Sequence, residues 1–242
     1  MSMLDQWRER GTVRVVQKLL ALGALSAAGA AALNIVRSRT AHRRPRPVPR
    51  DLLWGEHRLQ LPGDGVGKLF HRRYSVLIEK PQLRDQALME RIKADLPEFS
   101  PRLLADFRKI KGHSRRMAVG DEYQITIFGP WNGNVSVVEV TPTSFTLVTL
   151  EGHPEAGQIT FALTRPVAAA DTIRFEINSW ARSRDFLVSL GYEQARIGKE
   201  IQKNVWVTFC ENVVAASGGV ARGQVEVVTE ERAEDGEVIP IV

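Results

Sequence analysis

Cysteine is nearly absent. The chain of 242 residues holds one, Cys210, which excludes an intrachain disulfide framework and any multi-cysteine zinc or iron–sulfur site. Glycine and proline, at 19 and 12, are too few for a collagen-like or low-complexity chain. Hydrophobic residues, at 43%, are too few for a polytopic membrane protein and enough for a folded core. The length suits one domain with extensions.

An excess of positive charge is also missing from most of the chain. The net charge is +5, yet residues 1–50 carry ten basic residues against two acidic, which leaves 23 basic and 26 acidic residues beyond them. A body of slightly negative balance has no broad electrostatic footprint for a duplex, so nucleic acid is not an expected partner.

The N-terminal basic residues bracket an uncharged run of 18 residues, Leu19 to Val36, in which seven are Ala. As a helix it would rise about 1.5 Å per residue, just enough to cross a bilayer. Three readings compete: an uncleaved membrane anchor, a soluble or surface-lying Ala-rich helix, and a signal peptide. Six arginines directly after the run resist translocation and leave the anchor favoured, with the C-terminal body in the cytoplasm. The alternatives are a soluble cytoplasmic or an exported protein. Residues 1–18 then form a basic N-terminal segment, 19–36 the anchor helix and 37–67 an Arg/Pro-rich linker, with prolines at 45, 47 and 49 opposing regular helix.

At the end of the linker, LPGDGVGKL (61–69) imitates a phosphate loop and fails twice. Pro62 stands where glycine is needed, and Leu69 stands where a magnesium-binding hydroxyl is needed. From Tyr74, YSVLIEK predicts a strand. The stretch 81–96 then predicts a helix with Leu88, Ile92 and Leu96 on one face. Ser100-Pro101 looks like a helix start, and SPRLLADFRKIKG predicts a second helix ending at Gly112. Arg108, Lys109, Lys111, Arg115 and Arg116 would then be cations complementing a helix C-terminus, or a small site for phosphate or acidic lipid.

From Asp121 to Arg182 apolar and polar residues alternate, which predicts antiparallel strands at about 121–128, 134–141, 144–151, 157–165 and 171–180. Ile159, Phe161 and Leu163 share a dry face with Ile173, Phe175 and Ile177, opposite a wet face of Arg174, Glu176 and Asn178. A long helix follows, about Ser183 to Ala216, with Leu187, Leu190, Ile197, Ile201, Val205, Phe209 and Val213 on one stripe and Gly218-Gly219 as its stop. The domain is expected over 68–218, and the acidic tail 219–242 either turns back as a hairpin at Asp235-Gly236 or stays loose.

A strand, two helices, an antiparallel meander and a long C-terminal helix follow the order of the helix-grip fold of START-like, polyketide-cyclase-like and birch-allergen-like proteins. Within that order, Gly152-His153-Pro154-Glu155 followed by Gly157 lies between two strands. This resembles the bacterial and plant family called domain of unknown function nineteen-ninety, whose signature is a G-H-P-E-x-G turn. IRFEINSWARSRD (173–185) is similar to that family's passage from strand to terminal helix. The resemblance spans about 68–215. It implies an α+β fold, a helix-grip-like antiparallel sheet packed on a long C-terminal helix, here preceded by an N-terminal hydrophobic helix. It also implies an apolar ligand held between sheet and helix.

No catalytic residue, metal site or cofactor is expected. His153 and Glu155, with Glu151 nearby, are spaced to share a proton or a ligand, but the glycines and proline around them first describe a tight turn. One histidine among acids is too few ligands for a metal. His42, His57, His71 and His113 are scattered among basic residues, and Cys210 reads as a small buried hydrophobe. Trp131 and Trp180 are candidates for the wall or mouth of a pocket, and Arg182 and Tyr192 for the polar contacts of an amphipathic ligand. The expected ligand-binding set is therefore Trp131, His153, Glu155, Trp180, Arg182 and Tyr192. The expected function is binding of a small hydrophobic or amphipathic molecule, lipids included, by a membrane-tethered domain. A cyclase- or hydrolase-type enzyme using the same cavity and a ligand-free interaction scaffold are the alternatives.

Overall fold

The structure is a computed structural model that describes residues 53–54, 57–127, 132–166, 171–183, 192–232 and 238–240. The expected anchor 19–36 lies outside the described residues. Among the described residues no helix is long and apolar enough to cross a membrane.

Two short strands, β1 (Leu53–Trp54) and β2 (His57–Arg58), pair with each other, and a single 3-10 turn (Pro62–Asp64) leads into β3 (Val66–Glu79). Strand β3 starts eight residues before the expected Tyr74, inside the segment read as linker. Helix α1 (Asp85–Ala94) and the one-turn α2 (Leu96–Phe99) follow. Leu88, Met89, Ile92, Leu96 and Phe99 are all buried, as their spacing of three to four requires.

The second expected helix is instead a strand, β4 (Ala105–Lys111). Ser100 does not cap a helix; its hydroxyl donates to Ala105 O at 2.6 Å, and Leu104 N–H donates to Pro101 O at 2.7 Å, closing a turn. Alternation then decides the conformation, with Ala105 and Phe107 buried and Asp106 and Arg108 exposed. The basic residues of this stretch consequently do not complement a helix end. Lys109 pairs with Asp121 and Lys111 with Glu122, each at 2.8 Å.

The meander comprises β5 (Glu122–Ile127), β6 (Asn132–Thr141), β7 (Ser144–Thr149), β8 (Glu155–Thr164) and β9 (Thr172–Ser183). Helix α3 (Tyr192–Ser217) comes next, then β10 (Val220–Ala221), β11 (Glu226–Arg232) and β12 (Val238–Pro240). All pairings are antiparallel, in the spatial order β12-β11-β3-β9-β8-β7-β6-β5-β4, with β10 on β3 beside β11. The residues set apart as an acidic tail thus supply a strand to the sheet and a hairpin with β12. Lys68–Glu231 at 2.8 Å strengthens its junction with β3.

Register sorts the side chains into two faces. Tyr74, Ile177, Phe161 and Phe145 form one cross-strand row, and Val76, Phe175 and Leu163 the next. Helix α3 lies on this face: Phe209 sits 5.3 Å from Phe161 and 5.9 Å from Phe175, and Trp206 sits 5.7 Å from Phe161, ring centre to ring centre. Val205, Phe209 and Val213 are buried on the stripe that the spacing identifies. The opposite face is less wet than the alternation implies. Arg174, Glu176 and Asn178 are half-buried there, and Val148, Gln158, His71 and Trp180 are buried.

Candidate functional site

The G-H-P-E turn is a built corner. Gly152 adopts φ +94°, a backbone conformation that disfavours any other residue. Gln60 reaches across from the segment before β3, donating through Nε2 to His153 O and to Glu155 O, both at 2.9 Å. Glu155 N–H donates to His153 Nδ1 at 3.0 Å, and the imidazole packs on the backbone of Gly133. His153 and Glu155 are therefore linked through the backbone of Glu155, not through its carboxylate. The corner delivers Glu155 as the first residue of β8.

Trp180 and Arg182 share the face of Asn178 and Glu176, turned away from α3. Trp180 stacks on His71, its cross-strand neighbour, with centroids 3.9 Å apart and planes 10° apart. His71 Nε2 lies 3.1 Å from Asn178 Oδ1, and its Nδ1 lies 3.4 Å from Glu230 Oε2 on β11. Arg182 donates to Gly67 O at 3.1 Å. Neither residue lines the space beneath the helix, because the two-residue period that puts Ile173, Phe175 and Ile177 inward puts residues 180 and 182 outward. Tyr192 opens α3; its side chain, like the whole of Trp131, lies outside the described residues.

Among the described members of the expected set, Glu155 is the one brought to the helix side in the company of other polar groups. Glu155 shares this face with Gly157, Ile159 and Phe161, and its Oε2 accepts from Gln202 Nε2 on α3 at 3.1 Å. Its Oε1 lies 3.6 Å from Nη1 of Arg72. Arg72, on β3, falls in the inward register of Tyr74, Val76 and Ile78, so a cation stands on the face that buries the core. The Arg72 side chain is 8% exposed, while that of Glu155 is 34% exposed. The guanidinium carbon lies 5.1 Å from the ring centre of Phe70, whose cross-strand row continues through the small residues Ala181 and Gly157.

Arg72 Nη1 is buried and has no hydrogen-bond partner among the described residues. The Trp206 indole N–H, one helical turn after Gln202, is also buried without one among those residues. Both belong to the space between sheet and helix, Arg72 from the strand side and Trp206 from the helix side. Next to them the interlayer space is occupied by rings, with Trp206 6.1 Å from Phe209 and 6.2 Å from Phe107. Chemistry elsewhere is sparse. Burial pushes the Cys210 thiol up to about 12, with the Glu211 charge adding to the effect. Among the described residues no group of three or more His, Cys, Asp or Glu is placed to hold a metal ion.

A long strand, two helices, six further antiparallel strands and a closing helix laid on the inward face define a helix-grip protein, here extended by strands after the helix. Residues 40–211 match the model of the Domain of unknown function (DUF1990) family, and the chain belongs to that family. No curated protein matches the chain. Solved structures that it is similar to include a hypothetical protein from Helicobacter pylori, at 11% identity and TM-score 0.47, covering 74% of this chain and 99% of that one. They also include norcoclaurine synthase from Thalictrum flavum, at 12% identity and TM-score 0.44, covering 74% and 95%. A conserved protein from Geobacillus kaustophilus has 12% identity and TM-score 0.41, covering 63% and 99%.

Proposed function

We propose that the domain binds one small amphipathic molecule between the sheet and α3, with its polar end among Arg72, Glu155, Gln202 and Trp206. The observation that carries this reading is a pair of buried donors without acceptors among the described residues, Arg72 Nη1 on the inward face of β3 and Trp206 Nε1 on α3. A buried donor left unmade costs about 1–3 kcal/mol, and a ligand that brings acceptors recovers that cost. The stacked rings around Phe209 fill the middle of the layer, so the seat is at the end marked by Gln202, bordered by Phe70 and Ile159. Apolar ligand surface removed from water contributes about 25 cal/mol per Å², so sequestration needs no catalytic residue.

The basic N-terminal flanks and the uncharged run between them support a further element of this reading, retention at a membrane with the domain on the cytoplasmic side, close to a source of amphipaths. Native mass spectrometry and solvent extraction of the full chain purified from cells test the ligand. A stoichiometric small molecule is expected; an empty protein that takes up no fluorescent fatty-acid analogue overturns the proposal. Fractionation of cells with and without residues 1–50 tests retention, and an unchanged partition overturns that part.

A further inference from the structure

We infer that the polar end of the ligand is an oxyanion, a carboxylate or phosphate group on an apolar tail, received by Arg72 with Glu155 as a displaceable counter-ion; this rests on the amphipath reading above. A guanidinium stays protonated whatever its surroundings, so a buried Arg72 always presents a cation to the interlayer space.

Its neighbours leave that charge poorly matched. Glu155 is the carboxylate paired with it, at 3.6 Å, beyond hydrogen-bond reach, and its other oxygen is engaged by Gln202 at 3.1 Å. On β11 the residue opposite Arg72 is the uncharged Thr229, and the carboxylate of Glu231 is taken by Lys68 at 2.8 Å. On β9 the residue opposite is Ser179. Among the described residues Nη1 therefore has a field to answer and no acceptor to meet.

An alcohol or ketone could accept from one N–H and would leave the cation matched only by the distant Glu155. An oxyanion meets the charge and the fork together. Glu155 is a third exposed, so its carboxylate has water to swing into when a competing anion arrives.

The test uses the folded full chain and three probes with one tail: dodecanoate, dodecyl phosphate and dodecanol, titrated by calorimetry and by tryptophan emission. At least one anion is expected to bind about tenfold or more tighter than dodecanol, the factor expected of a charge-assisted pair over a neutral one. The tighter of the two anions identifies the head group. Arg72→Gln should erase this preference while dodecanol still binds, and Glu155→Gln should tighten the anion several-fold by removing its competitor. Circular dichroism of each variant confirms the fold, and Glu155→Gln keeps the question open to disproof if Arg72→Gln does not fold. Equal affinity for anion and alcohol, or a preference that survives Arg72→Gln, overturns the oxyanion and leaves amphipath binding standing. Failure of all three probes to bind overturns the amphipath reading, and the oxyanion with it.

Discussion

The imidazole of His153 occupies the space directly over the α-carbon of Gly133, so that no β-carbon fits there. The contact joins the turn before β8 to the first residues of β6, which are not its sequence neighbours. With Gln60 bonded to the same turn, it holds the corner from which Glu155 emerges. Gly133→Ala is therefore expected to destabilise the protein by about 1–3 kcal/mol in urea denaturation, the usual cost of overpacking. In a His153→Ala background the same change should cost less than about 1 kcal/mol, because the two positions share one volume. Equal costs in both backgrounds would mean that the ring does not fill that space.

Phe209 is fully buried and touches the rings of Phe99, Phe161, Phe175 and Trp206. Phe209→Ala should cost about 3–5 kcal/mol of unfolding free energy, since one residue fastens α3 to three other elements. Leu103, 90% exposed in the turn before β4, is the control. Leu103→Ser should stay within about 0.5 kcal/mol.

Burial holds the Cys210 thiol up at about 12, so the native protein carries almost no thiolate at neutral pH. Ellman's reagent at pH 8 should leave the native protein unmodified and should titrate one thiol per chain in denaturant. Rapid labelling of the native state would place Cys210 at a surface.

Asp85 and Arg165 join α1 to the end of β8 through two hydrogen bonds, at 2.7 and 2.8 Å. The Arg165 guanidinium donating to Asp85 holds its carboxyl below the ordinary value of 3.8, against a smaller opposing effect of burial. A carboxyl with a lowered folded value adds stability that is fully present above 3.8 and is lost as pH falls through the folded value. Thermal unfolding should show a decline below that pH which Asp85→Asn removes from the profile. The effect is small, because the Arg165 side chain is 56% exposed. An identical acid limb in the variant would detach the decline from this pair.

The meander was legible because apolar and polar residues alternate in most of its strands, between turn residues roughly every ten positions, and the same alternation correctly places Phe161 and Phe175 inward. It equally places Trp180 outward, which an aromatic residue's affinity for pockets obscures. Residues 100–112 misled because Ser100-Pro101 imitates a helix start and Leu103, Leu104 and Phe107 repeat at helical spacing, while the strand pattern there is short. Arg72 was within reach of the sequence: carrying the alternation of Tyr74, Val76 and Ile78 back by one step sets a cation on the dry face. Starting the strand at Tyr74 hid it. The unpartnered Trp206 N–H was not within reach, since whether a donor finds an acceptor depends on elements far apart in the chain.

Strand β3 is flanked by β9 on one side and β11 on the other, so residues near 70 pair with residues near 180 and near 230. A chain emerging from the ribosome holds its longest strand in hand with neither neighbour yet made, and translation of nearly the whole sequence precedes closure of the sheet. Through that interval the apolar side of β3 is open to water and to other nascent chains, and the basic Arg72 and Arg73 at its centre oppose premature strand-to-strand association. The cation that faces the interlayer space in the folded domain is thus also a charge of the kind that opposes edge-to-edge strand pairing.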